Sequence, residues 1–240
     1  MRVIDWHEFV GAGECARKGG KVGSGALRGS PPLRGVAEDR RAEARGETSP
    51  RPVTFSSPIH DSRLPLAVTV GVFDGVHRGH RALIRRVVEA RGCVPTVVTF
   101  GRNPRAVLEP LAAGSDVMGL DARLAMLEGL GVALAVLVDF SADFRMMEGR
   151  DFLAALLGVA PVRLLVLGED FRCGRGAGLG AQEIRGALAG SGTEVLVVPP
   201  VLDDGRPVSS SRVRLALAAG RTGEAERLLG WALRDGIAPH

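Results

Sequence analysis

From Leu66 onward, apolar runs of strand length alternate with segments whose apolar residues recur at helical spacing. The strand-like runs are LAVTVGV, TVVTF, VALAVLVDF, VRLLVLGED and TEVLVVPP. The helix-like segments are GHRALIRRVVEARG, which we expect to end at Gly92, DARLAMLEGLG, GRDFLAALLG and AQEIRGALAGSG. Near-continuous apolar strands separated by amphipathic helices are typical of a parallel sheet covered on both faces. The pattern predicts a doubly wound α/β domain with ligands beyond the carboxyl ends of its strands.

Residues 11–63 break this pattern. The segment is rich in Gly, Pro, Ser and Arg, and Phe55 is its only aromatic residue. Such a composition buries too little apolar surface to offset chain entropy, so we expect a disordered or loosely ordered basic linker. A basic tail that binds membranes or RNA is the alternative. The preceding MRVIDWHEFV is expected to dock as a short strand and helix start, which divides the chain into segments 1–10, 11–63, 64–230 and a tail, 231–240.

The charge of the chain is concentrated in the same segment. The net charge is +4, and residues 11–63 hold ten Lys/Arg against six Asp/Glu, so the remainder is balanced. A basic surface for nucleic acid is therefore not expected on the folded body. Cys15, Cys93 and Cys173 are far apart and lack ligand spacing, which favours reduced thiols without a structural metal. The sequence offers no apolar run long enough for a membrane span, and we expect a cytoplasmic protein.

The stretch GVFDGVHRGH follows the first predicted strand and leads into the first predicted helix. The start of a helix presents free N–H groups and the positive end of its dipole, which favour phosphate. His77 and His80 add side-chain donors there, and Gly79 lets the backbone approach a ligand. A single histidine in this position would more simply cap the helix or pack against it. Two of them after a buried strand predict a phosphate site.

A second anion-prone helix start lies near the other end, in VSSSRVRLALAAG after the turn DDGRP. Ser209, Ser210 and Ser211 are N-cap residues in this pattern, and Arg212 and Arg214 fall in the first turn. Alone, the pattern fits an ordinary capped helix as well. Together, the two helix starts suit the two ends of a polyphosphate such as a nucleotide triphosphate.

GVFDGVHRGH resembles the G-x-F-D-G-V-H-x-G-H signature of the FMN adenylyltransferase module of bacterial FAD synthetases, within the wider His-x-Gly-His nucleotidyltransferases. The resemblance continues through TVVTFGRNPRAVL, DARLAMLEGLG, VRLLVLGEDFRCGRG and VSSSRVRLALAAGRTGEAERLLG, and covers about residues 65–230. It implies a Rossmann-like parallel sheet of the His-x-Gly-His type. It also implies an enzyme that converts ATP and FMN into FAD and diphosphate, with Mg²⁺ carried by the ATP.

The resemblance assigns roles by position. The implied catalytic residues are His77, His80 and Arg214. The implied ATP-binding residues are Gly71, Phe73, Asp74, Gly79, Ser209, Ser210 and Ser211. The implied flavin-binding residues are Phe100, Asn103, Pro104, Asp170, Phe171 and Arg172, of which Phe100 and Phe171 could instead be core residues and Asp170 a helix cap. No metal ligand on the protein is implied.

The chain departs from the family pattern mainly on the flavin side. Gly101, Arg102 and Asn103 replace the family's Glu-Pro-His, and Cys173 replaces the second Phe of G-E-D-F-R-F-G. The sequence also ends about ten residues after LLG, so we do not expect the riboflavin kinase barrel that family members usually carry, and another protein would supply FMN. Two alternatives stay open: a different phosphorylated acceptor, and a non-catalytic nucleotide- or flavin-binding paralogue. The oligomeric state is not indicated.

Overall fold

The computed structural model describes residues 1–11, 64–108 and 116–233. Within these ranges the strands are β1 (Arg2–Asp5), β2 (Leu66–Val70), β3 (Val94–Phe100), β4 (Leu134–Val138), β5 (Val162–Gly168), β6 (Arg172–Cys173), β7 (Leu179–Gly180), β8 (Glu194–Val198), β9 (Leu202–Asp203) and β10 (Arg206–Pro207). The helices are α1 (Arg78–Val88), α2 (Pro104–Leu108), α3 (Leu120–Gly129), α4 (Ala142–Met146), α5 (Gly149–Val159), α6 (Ala181–Ala187), α7 (Ser210–Ala218) and α8 (Thr222–Leu229). A 3₁₀ turn spans Arg175–Ala177.

Six parallel strands form the central sheet in the order β1-β4-β3-β2-β5-β8. The chain proceeds from β2 through β3 to β4 on one side, and continues through β5 to β8 on the other. The strand order therefore reverses beside β2, and the loops that follow β2 and β5 diverge there. A reversal of this kind opens a crevice at the carboxyl ends of the strands.

Helices cover both faces of this sheet. The side chains of β2 alternate, so that Leu66, Val68 and Val70 join a core with residues of α5 and α6, whereas Ala67 packs with Val87 of α1 on the opposite face. Helix α3 lies with α1 in a cluster that contains Ile84 and Leu127. The predicted doubly wound α/β fold is confirmed.

Several short elements differ from the sequence-based expectation. Helix α1 ends at Val88 with Glu89 as its C-cap, four residues before the expected Gly92, because the apolar helical spacing stops at Val88. A hairpin formed by β9 and β10 separates β8 from α7, and its two-residue turn places both Asp204 and Gly205 at positive φ. The sequence pattern showed this turn but not the strands, which are two residues each.

The first residues of the chain form the edge of the sheet. β1 pairs in parallel with β4, and the helical residues 6–11 bring Trp6 and Phe9 into the main core. The predicted linker at 11–63 lies outside the described residues beyond Gly11, as does most of the predicted tail, from residue 234. The segment boundaries thus stay predictions. No helix in the described ranges is both long and apolar enough to span a bilayer.

Candidate functional site

The loop between β2 and α1 has a backbone that L-amino acids rarely adopt. Phe73 and Val76 have positive φ angles of 54° and 39°, and Gly75 has 79°. Such conformations cost about 1–3 kcal/mol each outside glycine, and persist only where packing holds them. Phe73 and Val76 are completely buried, and a Cβ on Gly75 would lie 2.8 Å from Cγ1 of Val117. Packing therefore fixes the loop that delivers the two histidines.

His77 and His80 form a stacked pair at the start of α1. Their ring centroids are 3.6 Å apart, with an interplanar angle of 15°. His77 is the N-cap, and its Nδ1 accepts the backbone N–H of His80 at 3.3 Å, so the neutral ring carries its proton on Nε2. A Cβ on Gly79 would lie 3.1 Å from Cε1 of His77, so glycine lets the backbone pass close to this ring.

Burial keeps both imidazoles neutral. The pKa of His77 is lowered from 6.5 to about 4, mainly by burial; a backbone hydrogen bond raises it, and the nearby Arg214 charge adds to the lowering. Burial also sets the pKa of His80 well below its usual range, with further lowering by His77 and Arg123. The Nδ1 of His80 is shut off from solvent and has no hydrogen-bond partner in the part of the chain that the structure describes. At neutral pH the pair offers N–H donors without positive charge.

Asp74 connects this loop with two other parts of the chain. Its Oδ1 accepts the N–H groups of Val117 and Met118 at 2.8 and 3.2 Å, and its Oδ2 pairs with Nη1 of Arg214 at 2.7 Å. Burial raises the pKa of its carboxyl, and Asp116 raises it further, while these partners lower it. Asp74 thus holds Arg214 in place beside the histidine loop.

The start of α7 meets the histidine loop. Ser209 is its N-cap and accepts the N–H of Arg212 at 3.3 Å, whereas Ser210 and Ser211 lie inside the helix and do not cap it as expected. The hydroxyl of Ser210 donates to the backbone oxygen of Asp74 at 2.9 Å. Ser211 lies 3.3 Å from Nη2 of Arg214. The two anion-prone helix starts predicted from the sequence therefore lie side by side.

The loop after β3 carries the predicted flavin residues Phe100, Asn103 and Pro104. Phe100 makes edge contacts with Phe140 and Phe144, at centroid distances of 5.7 and 6.2 Å. Asn103 is buried, and its Nδ2 donates to Oδ1 of Asp116 at 2.7 Å. Its Oδ1 accepts the backbone N–H of Arg105 at 3.1 Å, in the first turn of α2, which begins at Pro104. The loop reaches the phosphate side through Nη1 of Arg105, 3.4 Å from the hydroxyl of Ser211.

The predicted flavin-binding residues after β5 differ in their exposure to solvent. Asp170 and Arg172 are exposed, and Nε of Arg172 donates to the oxygen of Ala177 at 2.7 Å within its own loop. Phe171 packs against the main core, in line with the alternative that the sequence left open for it. Gly71 lies directly behind the ring of Phe73.

Sequence reasoning missed one carboxylate that holds three arginines. Asp203, on the β9–β10 hairpin, pairs with Arg78 at 3.1 Å, Arg227 at 3.2 Å and Arg212 at 3.5 Å. Arg78 directly follows His77 at the start of α1, so this cluster ties that helix start to α7 and α8. Nothing in the local sequence distinguished Asp203 from its exposed neighbour Asp204.

Arg123 of α3 was also missed. It is 3% exposed and donates to the backbone oxygens of Val72 and Phe100, which lie where the loops after β2 and β3 begin. Its signal in the sequence was an arginine on the same helical face as Leu127, which is completely buried.

The sequence matches a known family model and several curated relatives. The FAD synthetase family model matches residues 60–212. The bifunctional riboflavin kinase/FMN adenylyltransferase of Pseudomonas fluorescens is 34% identical over 69% of this chain and 54% of its own length. That of Escherichia coli (strain K12) is 32% identical over 68% and 53%. The chain thus spans about half the length of these two relatives. A putative bifunctional riboflavin kinase/FMN adenylyltransferase of Geobacillus thermodenitrificans is 32% identical over 69% of this chain and 90% of its own length.

Among solved structures, a crystal structure described as a macrolide-efflux protein from Streptococcus pneumoniae superimposes with a TM-score of 0.64. The two share 29% identity over 71% of this chain and 58% of the other. This similarity supports the Rossmann-like architecture of the nucleotidyltransferase type. The matched family model and the relatives together show that the chain belongs to the FAD synthetase family.

Proposed function

We propose that this chain is an FMN adenylyltransferase, which converts ATP and FMN into FAD and diphosphate. The observation that carries the proposal is the contact between the two helix starts. Ser210 donates to the backbone oxygen of Asp74 at 2.9 Å, and Arg214 pairs with its carboxylate at 2.7 Å. Free N–H groups, hydroxyls, imidazole N–H groups and one guanidinium therefore converge on one region, a donor set suited to a triphosphate.

In this proposal, the Mg·ATP triphosphate lies between the starts of α1 and α7. The Nε2–H of His77 and the ring of His80 donate to phosphate oxygens, and Arg214 exchanges part of its contact with Asp74 for the triphosphate. Ser209 and Ser211 line the same helix start. Mg²⁺ arrives as part of this substrate, and no step requires a metal ligand from the protein.

The flavin is proposed to bind along the carboxyl end of β3. Phe100, Phe140 and Phe144 are half-buried there and present aromatic surface suited to a planar ring system. Asn103 and Pro104 define the start of α2, with Asp170, Phe171 and Arg172 as the proposed opposite wall. Arg105 then lies between the flavin loop and Ser211, where the phosphate of FMN would enter.

The chemistry needs little acid–base help from the protein. The phosphate of FMN is largely ionised at neutral pH, since its second pKa is about 6. It attacks the α-phosphorus of ATP in line, forming the new P–O bond as the bond to diphosphate breaks. The protein positions both groups and stabilises the charge that grows on the leaving diphosphate. Neutral histidines and Arg214 are suited to that task.

A direct assay tests the proposal. Purified protein with FMN, ATP and Mg²⁺ should form FAD and diphosphate in equal amounts, and riboflavin should not replace FMN. His80→Ala should lower kcat by about a hundredfold or more, the range observed when one donor to a developing charge is removed. His7→Ala removes an exposed imidazole elsewhere and should leave the rate unchanged.

The outcomes separate the alternatives. No FAD from a protein that binds both ATP and FMN would contradict the proposal and favour a non-catalytic paralogue. Turnover of ATP with another phosphorylated acceptor, but not with FMN, would favour an adenylyltransferase of different specificity.

A further inference from the structure

Arg123 lies at the point where the central sheet gives rise to both proposed substrate loops. Its Nη1 donates to the oxygen of Val72 at 2.7 Å, and its Nη2 donates to the oxygen of Phe100 at 2.6 Å. Val72 begins the loop that carries the histidines, and Phe100 begins the proposed flavin loop. One guanidinium thus bridges the ends of β2 and β3 from the adjacent helix α3.

The planar guanidinium is suited to this bridge. Its two outer nitrogens diverge at a fixed angle, so the two carbonyls that they bind cannot shift independently. The oxygen of Val72 also accepts the hydroxyl of Thr99 at 3.0 Å, which connects it to β3 a second time. The strained φ of Phe73 follows immediately, so Arg123 fixes the backbone where the strained turn begins.

The burial of Arg123 indicates a role beyond ordinary packing. Within the described ranges, its side chain donates to the two backbone oxygens and is paired with no carboxylate, and its Nε has no acceptor. Burial lowers the pKa of Arg123 below its ordinary value, and the charges of Asp74 and Asp116 offset only part of this lowering. A buried cation without a contacting anion is costly, and in this protein its contacts are two backbone carbonyl oxygens.

The position of this charge matters for anions. Arg123 is close enough to His80 for its charge to lower the pKa of that imidazole. A positive charge held behind a neutral donor pair raises the local potential without occupying the crevice. The same side chain therefore fixes two loops and makes the electrostatic potential at the histidine loop more positive.

We propose that Arg123 is a positioning residue: its single guanidinium holds the histidine loop and the loop after β3 at a fixed position relative to each other. The inference rests on the proposed function for the identity of the two ligands, but its structural core is the mechanical link between the loops. Loss of the link loosens both loops together.

Amide hydrogen exchange tests the link without any substrate. In Arg123→Gln, peptides covering residues 71–80 and 101–105 should both exchange faster than in the parent protein. Arg123→Lys keeps the charge but loses the pair of outer nitrogens that bind the two carbonyl oxygens. Both loops should therefore again exchange faster, to a smaller extent. Leu156→Ala, in the core on the opposite face of the sheet, is the control for general loss of stability and should leave the two loops unchanged relative to their surroundings.

Two further measurements separate the effect of the positive charge from the effect of the two hydrogen bonds to the carbonyl oxygens. The His80 imidazole, followed by NMR, should titrate at higher pH in Arg123→Gln and stay close to its parental value in Arg123→Lys. In the FAD assay, KM for ATP and KM for FMN should both rise about tenfold or more in Arg123→Gln, the effect expected from losing hydrogen bonds to a charged group. Arg123→Lys should recover part of each.

Exchange that increases in only one loop, or equally in Leu156→Ala, would overturn the proposal. Unchanged KM values for both substrates would also overturn it. Failure of the parent protein to make FAD would instead contradict the proposed function, and the exchange and NMR measurements would still decide the role of Arg123.

Discussion

At the scale of single residues, the histidine pair shows how burial selects a protonation state. Both rings lie between a packed loop and a helix start, and the cost of burying a charge keeps them neutral. The neutral state leaves Nδ1 of His77 free to accept the N–H of His80. Protonation of His77 on Nδ1 would break this cap and place a charge in a poorly solvated site.

Acid should therefore destabilise the fold through these residues. The pKa of His77 is about 4 in the folded protein and 6.5 as an ordinary value, so the unfolded chain binds more protons between them. The free energy of unfolding should fall as pH decreases from 6.5 towards 4. His77→Asn keeps a side-chain cap for α1 but does not titrate, so its urea unfolding should depend less on pH, by up to about 1.4 kcal/mol per pH unit.

Asp74 opposes this trend, because its raised pKa makes the folded state bind more protons at low pH. It is present in both proteins, so the difference between their pH profiles isolates His77. Parallel profiles for the parent and His77→Asn would contradict the assigned pKa.

The sequence was sufficient to predict site residues whose contacts lie within a few positions of the chain. It was not sufficient for residues whose partners are far away in the sequence. His77, His80 and Ser209 were recognisable because a helix start and its cap lie within a few positions of each other. Asp203 and Arg123 were not, because their roles depend on contacts with residues far along the chain. Asp74 was assigned to ATP, and its bonds to Val117 and Arg214 could be seen only in the folded protein.

At the scale of elements, the β9–β10 hairpin fixes the relative positions of three helices. The carboxylate of Asp203 is nearly buried and pairs with one arginine from each of α1, α7 and α8. Hydrogen bonding and charge from Arg227, aided by Arg212 and Arg78, lower its pKa. The strand pattern of the sequence predicted the sheet well but contained no sign of this hairpin contact.

Asp203→Asn should loosen the starts of α1 and α7 together. Because both helix starts belong to the proposed ATP site, KM for ATP should rise severalfold and the thermal midpoint should fall. Asp204→Asn is the matched control, since Asp204 is 75% exposed and, among the residues that the structure describes, pairs with Arg227 alone. The idea fails if the two variants give the same KM for ATP and the same thermal midpoint.

The lowered pKa of Asp203 also gives its ion pairs a pH dependence. Their stabilisation is complete above the ordinary pKa of 3.8 and is lost as pH falls through the pKa of the folded protein.

At the scale of the whole molecule, the first residues complete the core. Trp6 is stacked on Phe152 at a centroid distance of 5.3 Å and touches the edge of Phe144 at 6.0 Å. Phe144 in turn contacts Phe100 of the proposed flavin loop. The matched family model begins at residue 60, so this edge of the sheet lies outside the matched region.

Trp6→Ala should destabilise the whole domain by about 3–5 kcal/mol, the usual range for deleting a buried aromatic side chain. The measurement is the free energy of unfolding in urea, with the exposed His7→Ala as control in the same segment. A loss below about 1 kcal/mol would mean that the segment is not part of the cooperative core.

The pairing of β1 with β4 has a consequence for how the chain assembles. Arg2 lies opposite Leu134, so β1 pairs with a strand that lies more than half of the 240-residue sequence further along. The entropy of closing so long a loop grows only with the logarithm of its length, by about 0.6 kcal/mol per doubling. Lengthening the connection between β1 and β2 during evolution would therefore cost little at equilibrium, although β1 can join the sheet only after β4 has been made.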